Sequence, residues 1–170
     1  MAGKIIAVLL VLVTLGVGGG VYYAQVYGFY YGVEDATVEL TSLSSQQPEP
    51  ILTEGLEAID ADSSPIRFRA CFTTPTSLAT LTETYEIFDA AEPLTAPGWF
   101  DCFDAEAIGA ALDAGTAIAF TGTRNLEYGI DRVVAITEAG QGFVWHQVND
   151  CGDRLYDGTP AGDDCPERTQ

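Results

Sequence analysis

The chain has 170 residues, which is enough for one domain and a shorter additional segment. It carries 25 acidic and 7 basic residues, a formal net charge of −18. Because a field of this sign repels phosphate backbones and anionic lipid surfaces, we expect no nucleic-acid binding. A solvated acidic surface is the simplest interpretation, and a basic partner or a bound cation is the alternative.

The first predicted element is an apolar run, IIAVLLVLVTLGVGGGVYYA, over residues 5–24. About 20 such residues cross the hydrocarbon core of a membrane, so residues 1–33 are predicted to form a single-pass transmembrane anchor. Lys4 precedes the run and Glu34 follows it, which predicts a cytoplasmic N-terminus and an extracytoplasmic domain. Tyrosines and phenylalanines over residues 22–31 fit a collar at the outer interface. A cleaved signal peptide is the alternative, and it leads to the same compartment.

Two glycines of the apolar run, Gly16 and Gly20, form a GxxxG pair. This spacing lets two helix backbones approach closely, so the pair is a candidate helix-packing face. Glycine is also common in membrane helices that have no such role. We expect the partners to be other membrane proteins.

Residues 34–65 are predicted to hold a strand and a linker-like segment. ATVELT, residues 36–41, alternates like a strand, whereas SLSSQQPEP, residues 42–50, is polar and contains two prolines. Residues 66–170 are predicted to form a disulfide-stapled α+β domain. Its first strand is IRFRACF, residues 66–72, and a short helical stretch is expected within residues 75–85.

The clearest helix is predicted over residues 104–112, with Asp104 as its N-cap. Three strand-like runs follow it, at residues 116–121, 126–137 and 142–148. The turn EAGQ between the last two runs predicts a hairpin. The fold class is therefore α+β, with a small antiparallel sheet and one main helix after the N-terminal transmembrane helix.

Four cysteines lie beyond the apolar run, and none belongs to a CxxC motif. An even number in an extracytoplasmic domain predicts two disulfides. Of the three pairings that four cysteines allow, we favour Cys71–Cys102 with Cys151–Cys165. The second pair would close a loop that has few apolar residues to hold it.

Catalytic motifs are not found in the sequence. The one histidine, His146, is interpreted as a packed or rim residue, and neither a GxSxG elbow nor a phosphate-binding glycine loop is present. Two acidic stretches, one at residues 60–63 and one through Asp157, Asp163 and Asp164, lack the pattern of a calcium loop. We therefore expect no cofactor, no metal and no catalytic residue.

Three arginines lie inside strand patterns, namely Arg67, Arg69 and Arg132. In a domain with few positive charges, internal ion pairs with carboxylates are the first interpretation. A ligand site for an anion or a carboxylate is the second. Regular alternation would place Arg132 on one face with Ile130 and Val134, unless Gly129 forms a bulge.

Four runs carry a resemblance to a known family: IDADSSPIRFRACFTTPTSLATLTETYE, APGWFDCFDAEAIGAAL, YGIDRVVAI and WHQVNDCG. They resemble an uncharacterised bacterial family of single-pass membrane-anchored, four-cysteine periplasmic proteins, some of which carry the label histidine kinase. This chain lacks the ATP-binding glycine boxes and the phospho-acceptor helix that such a label needs. The resemblance implies a bacterial inner-membrane anchor with a cytoplasmic N-terminus and a periplasmic C-terminal domain, and it supplies no catalytic residues.

These observations favour a non-enzymatic, membrane-anchored accessory protein, either an assembly factor or a small subunit of an inner-membrane complex. The alternative is a periplasmic ligand-binding or sensory domain that uses the arginines. An unrecognised hydrolase is the third hypothesis.

Overall fold

A computed structural model gives the structure of the chain and describes residues 2–162 and 165–166. These residues divide into two compact units between Tyr30 and Tyr31. The first unit consists of helix α1, Ala2–Tyr23, which continues as a π-helical turn over Ala24–Gly28. Its residues from 3 to 23 are exposed and are apolar on nearly all sides of the helix. The helical segment Gly3–Gly28 is long and apolar enough to cross a membrane.

The second unit, which we call the sheet domain, is α+β as predicted. Its elements in chain order are β1 (Tyr31–Gly32), β2 (Glu39–Thr41), β3 (Pro48–Pro50), β4 (Glu54–Asp60), β5 (Arg69–Thr73), α2 (Leu78–Thr84), α3 (Ala105–Asp113), β6 (Ala117–Glu127), β7 (Ile130–Thr137) and β8 (Gln141–Val148). Six strands form one antiparallel sheet in the order β1-β4-β5-β8-β7-β6. Strands β2 and β3 form a separate antiparallel ribbon.

One face of the six-stranded sheet carries the main apolar core. The ribbon and α2 both contribute to it, and Thr41 Oγ1 fixes the ribbon to β6 by donating to the carbonyl of Gly122 at 3.0 Å. Alternation along the strands explains the part of this core that the sheet supplies, since those members stand on the same side of the sheet. The core residues are Val38, Leu40, Ala58, Phe68, Ala70, Phe72, Leu81, Phe120, Val134, Ile136 and Val144.

The opposite face is covered by the segment before α3. Phe103 packs edge-on against Phe143 and Trp145 of β8, with ring centroids 6.0 Å and 6.3 Å apart. Helix α3 then lies against β6 and β7. Its predicted N-cap is confirmed, because Asp104 accepts from the backbone amides of Glu106 and Ala107.

Both predicted disulfides are confirmed. Cys71 of β5 is bonded to Cys102, which ties the 94–104 segment to the sheet, and Cys151 is bonded to Cys165. The paired Cα atoms lie 6.2 Å and 5.5 Å apart, within the usual range for disulfides. Each bridge holds a segment that has little regular secondary structure.

Two segments differ from the sequence expectation. The run 126–137 was predicted as one strand, but β6 ends at Glu127 and β7 begins at Ile130, so Tyr128 and Gly129 form a two-residue hairpin turn. Gly129 has φ +83°, the left-handed conformation that such turns require and that glycine adopts readily. The bulge considered for Gly129 is therefore a turn.

The second difference concerns residues 42–60. The linker-like stretch contains β3, whose two prolines lie opposite Glu39 and Thr41 in a two-stranded ribbon. Proline has no backbone N–H to donate, and strands at the edge of a sheet tolerate this loss. Strand β4 was not predicted because a register shift between Glu54 and Glu57 interrupts its alternation.

Candidate functional site

The strongest candidate site forms where β7 and β8 pair next to the loop that follows β4. Arg132 lies directly opposite His146 in the antiparallel register, on the face that also carries Val134 and Val144. This confirms the predicted face of Arg132. Its Nε donates to Nε2 of His146 at 3.0 Å, and its guanidinium lies 4.7 Å from the centre of the Phe68 ring. The guanidinium is therefore held by a hydrogen bond and by a cation–π contact.

His146 is the residue that positions Arg132. Since Nε2 accepts from Arg132, Nδ1 carries the ring proton and donates to the carbonyl of Pro65 at 2.8 Å. The ring also stacks on Phe68, with centroids 4.9 Å apart, and the side chain is only 5% exposed. Both ring nitrogens are thus engaged, which confirms the prediction of a packed histidine.

The charge state of His146 follows from its surroundings. Burial lowers its pKa to about 4, against the opposing effect of the Pro65 carbonyl, and nearby Arg132 and Arg69 lower it further. The imidazole is therefore neutral at neutral pH. It accepts a hydrogen bond from Arg132 and adds no positive charge beside the guanidinium. In this arrangement His146 acts as a positioning residue, and no ring lone pair is free to act as a general base.

Arg132 lines a cleft of about 360 Å³, which we call the Arg132 cleft. A second charged group, Asp60 at the end of β4, lines the same cleft. Burial raises the pKa of Asp60, whereas burial lowers the pKa of Arg132. The residues that line the cleft are Asp60, Ala61, Asp62, Ser64, Pro65, Leu126, Glu127, Ile130, Arg132 and His146.

Arg69 is on the other face of the sheet, opposite Trp145 in register. Its guanidinium donates to the carbonyls of Leu94 and Thr95 at 2.8 Å and 3.1 Å, and to two further carbonyls in the turn that precedes β5. The sequence pattern did not indicate these carbonyl partners, two of which belong to a distant loop. Arg69 is 4% exposed and anchors the 94–95 loop.

Of the three predicted arginines, the structure brings only Arg132 to the cleft. Arg67 lies half-buried in the turn before β5, where its backbone amide donates to the Ser64 carbonyl at 3.2 Å, and it is not among the residues that line the cleft. Sequence reasoning missed Asp60 as a partner of Arg132. The only sequence signal is that Asp60 belongs to the acidic stretch 60–63.

A second polar cluster surrounds Asp131, which is 1% exposed on β7. Its Oδ1 accepts from the Asn125 amide at 2.8 Å and from the Asn149 side chain at 2.7 Å, and Arg124 lies 3.6 Å from Oδ2. These bonds join the β6–β7 hairpin to the turn after β8. We interpret this cluster as structural, because both carboxylate oxygens are engaged by the protein.

The described residues hold no group of three or more histidine, cysteine or acidic side chains arranged to bind a metal ion. In the stretch 60–63, Asp62 accepts a hydrogen bond from the Tyr31 hydroxyl at 2.9 Å. Asp157 accepts from Thr159, while Asp163 and Asp164 lie outside the described residues.

The predicted helix-packing glycines lie on one side of α1, since positions four apart in a helix are neighbours. A methyl group added at Gly16 or Gly20 would meet no atom within 4 Å. The surface at these positions is therefore open to a second helix.

An apolar N-terminal helix followed by a disulfide-bonded α+β domain defines a membrane-anchored or secreted protein. Residues 38–166 match the Family of unknown function (DUF6446), and the chain belongs to this family. No curated protein matches the chain. No solved structure matches it either.

Proposed function

We propose that the protein is a non-enzymatic accessory protein anchored in the bacterial inner membrane by its N-terminal helical segment, Gly3–Gly28. In this proposal the N-terminus is cytoplasmic, the sheet domain is periplasmic, and the protein acts as an assembly factor or a small subunit of a membrane complex. The observation that carries the proposal is the helical segment Gly3–Gly28, which can span a membrane and whose residues up to Tyr23 are exposed. The disulfides support an oxidising compartment for the sheet domain.

The glycines of α1 support a helix partner. A helix packs closely on a second helix where small residues recur every four positions, and Gly16 and Gly20 provide this spacing. Gly18 provides a matched comparison, because about 100° of rotation per residue places it on the other side of the helix. An added methyl group is free of contacts at all three positions, so substitutions there probe what lies outside the chain.

The state of the single histidine supports a non-enzymatic role. His146 is buried and engaged at both ring nitrogens, so it lacks the free lone pair that a general base needs. The buried Asp131 is also fully engaged. Both of these buried groups are therefore used in holding the fold.

The test is a stoichiometric co-purification. The full chain, carrying a C-terminal tag and expressed from its own locus, is purified from membranes in mild detergent, and co-purified proteins are quantified by mass spectrometry. The proposal predicts one or more membrane proteins at a fixed ratio near one copy per chain. Recovery of only substoichiometric background proteins would contradict it.

A further inference from the structure

Two opposite charges line the Arg132 cleft without touching each other. Within residues 2–162 and 165–166, no carboxylate oxygen lies within 4.0 Å of the Arg132 guanidinium, and the ion pairs observed belong to Arg124. Two carboxylates interact with Arg132 by charge, first Glu39 and then Asp60, and of these two only Asp60 lines the cleft. The separation leaves space for a ligand that carries both complementary charges.

Both groups have unused hydrogen-bonding capacity. Arg132 uses Nε for His146, while its two terminal nitrogens have no hydrogen-bond partner among the described residues. Asp60 uses Oδ1 to accept from the Ala61 amide at 2.8 Å, and its Oδ2 has no partner within the same set. Since no described buried side-chain polar atom is unsatisfied, these atoms reach solvent in the cleft. A ligand therefore finds a forked donor on one side and a carboxylate oxygen on the other.

The donor side is held in place before any ligand arrives. The Phe68 ring lies under the Arg132 guanidinium, and His146 fixes Nε through a chain of hydrogen bonds that ends at Pro65. Ordering a long side chain opposes binding, so a side chain that is already ordered makes binding tighter. This arrangement directs the terminal nitrogens of Arg132 to the cleft.

The surrounding charge selects the kind of ligand. Three carboxylates, those of Asp60, Asp62 and Glu127, line the cleft with a single guanidinium, and the whole chain has a net charge of −18. This field repels a simple anion, and a simple cation leaves the Arg132 donors unused. A ligand with one negative and one positive group satisfies both sides and has no net charge.

The size and walls of the cleft limit the ligand further. A volume of about 360 Å³ is at the small end of the range of ligand sites, which is roughly 300–1,000 Å³. Leu126 and Ile130 provide an apolar wall beside the charged groups. A compact ligand with a small apolar side group fits these walls.

We propose that the Arg132 cleft binds a small zwitterion of the α-amino acid type, with Arg132 holding the anionic group and Asp60 the ammonium group. This site goes beyond the accessory role proposed above and does not depend on a membrane partner. Co-purification and ligand binding are separate measurements, so either can fail alone.

The test uses the full chain in detergent, with thermal unfolding followed by tryptophan fluorescence and affinities measured by isothermal titration calorimetry. The panel contains the common α-amino acids, acetate as a carboxylate alone, ethylamine as an ammonium alone, and phosphoethanolamine. A ligand that binds only the folded state raises the melting temperature. We expect at least one zwitterion to bind and neither half-ligand to do so; binding of phosphoethanolamine but of no amino acid would assign the same site to a phosphate-bearing headgroup.

Asp60→Asn is the decisive variant, because it keeps the Oδ1 acceptor for Ala61 and removes only the charge. We expect it to weaken binding of the zwitterion at least about tenfold, as expected for loss of one charge-assisted hydrogen bond. Asp113→Asn, which makes the same change at an exposed residue of α3, should bind as the wild type does. The proposal is overturned if no amino acid binds, even where phosphoethanolamine does, or if a half-ligand binds as well as the amino acid. It is also overturned if Asp60→Asn binds the amino acid as the wild type does while its unliganded melting temperature matches that of the wild type.

Discussion

Acidification should destabilise the sheet domain through its one histidine. In the folded chain the pKa of His146 is about 4, whereas the ordinary value is 6.5. The unfolded chain therefore takes up a proton first as the pH falls below 6.5. The stability that His146 contributes is fully present above 6.5, is lost progressively toward pH 4, and changes no further below it. The difference between 6.5 and about 4 corresponds to about 3 kcal/mol.

The groups that face His146 explain why protonation is unfavourable in the folded state. Arg132 approaches Nε2 from β7, and Arg69 on β5 is a second positive charge nearby. Phe68 covers the ring, and Pro65 already accepts the one proton that the neutral ring carries. A second ring proton would point at the Arg132 guanidinium.

Two measurements check this prediction. Because the chain has one histidine, proton NMR resolves a single imidazole titration, which should give a pKa near 4. Urea unfolding at pH 7 and near pH 4, followed by the fluorescence of Trp99 and Trp145, then compares the wild type with His146→Gln. The carboxylates titrate in both proteins and cancel in the comparison, so the advantage of the wild type should shrink by about 3 kcal/mol at the lower pH. A titration near 6.5 would refute the reasoning, whether or not the variant folds.

Three further predictions concern stability and anchoring. Arg69→Leu should lower the free energy of unfolding by about 3 kcal/mol or more in urea, because it leaves several buried carbonyls without donors; a cost below about 1 kcal/mol would contradict its assigned role. Replacing Cys71 and Cys102 by serine should lower the free energy of unfolding by about 4 kcal/mol, as expected for a bridge between residues 31 apart. In the wild type, non-reducing peptide mapping should recover the Cys71–Cys102 cross-link, and recovery of another pairing would contradict the structure. If the helical segment Gly3–Gly28 is an uncleaved anchor, the protein should remain in membranes after alkaline carbonate extraction and should keep its N-terminus. A soluble protein shortened near residue 24 would instead indicate a signal peptide.

Local patterns in the sequence predict much of the fold. Alternation places Val38 and Leu40 on one buried face, and the Asp104 cap marks the start of α3. The turn over residues 138–140 joins β7 to β8 as expected. These features depend on neighbours within a few residues, which is why spacing alone reveals them.

Features that depend on distant contacts were not predictable in the same way. Alternation continues through residues 126–137, so it does not reveal the turn at Gly129, which requires knowledge of the pairing. Two of the carbonyl partners of Arg69, those of Leu94 and Thr95, come from a loop about 25 residues away, and no local pattern indicates them. For the same reason Asp60 could not be placed with Arg132, since the strands that carry them are not neighbours in the sheet.

The central claim is that the protein works by packing its anchor helix against another membrane protein. The most direct measurement is the amount of co-purified partner per chain in mild detergent for three proteins: the wild type, Gly16→Leu/Gly20→Leu, and Gly18→Leu. We expect a fixed ratio near one for the wild type and for Gly18→Leu. For the double variant we expect a reduction of about tenfold or more, because bulky side chains keep the helices apart. Equal recovery from all three proteins, or no stoichiometric partner for the wild type, would contradict it.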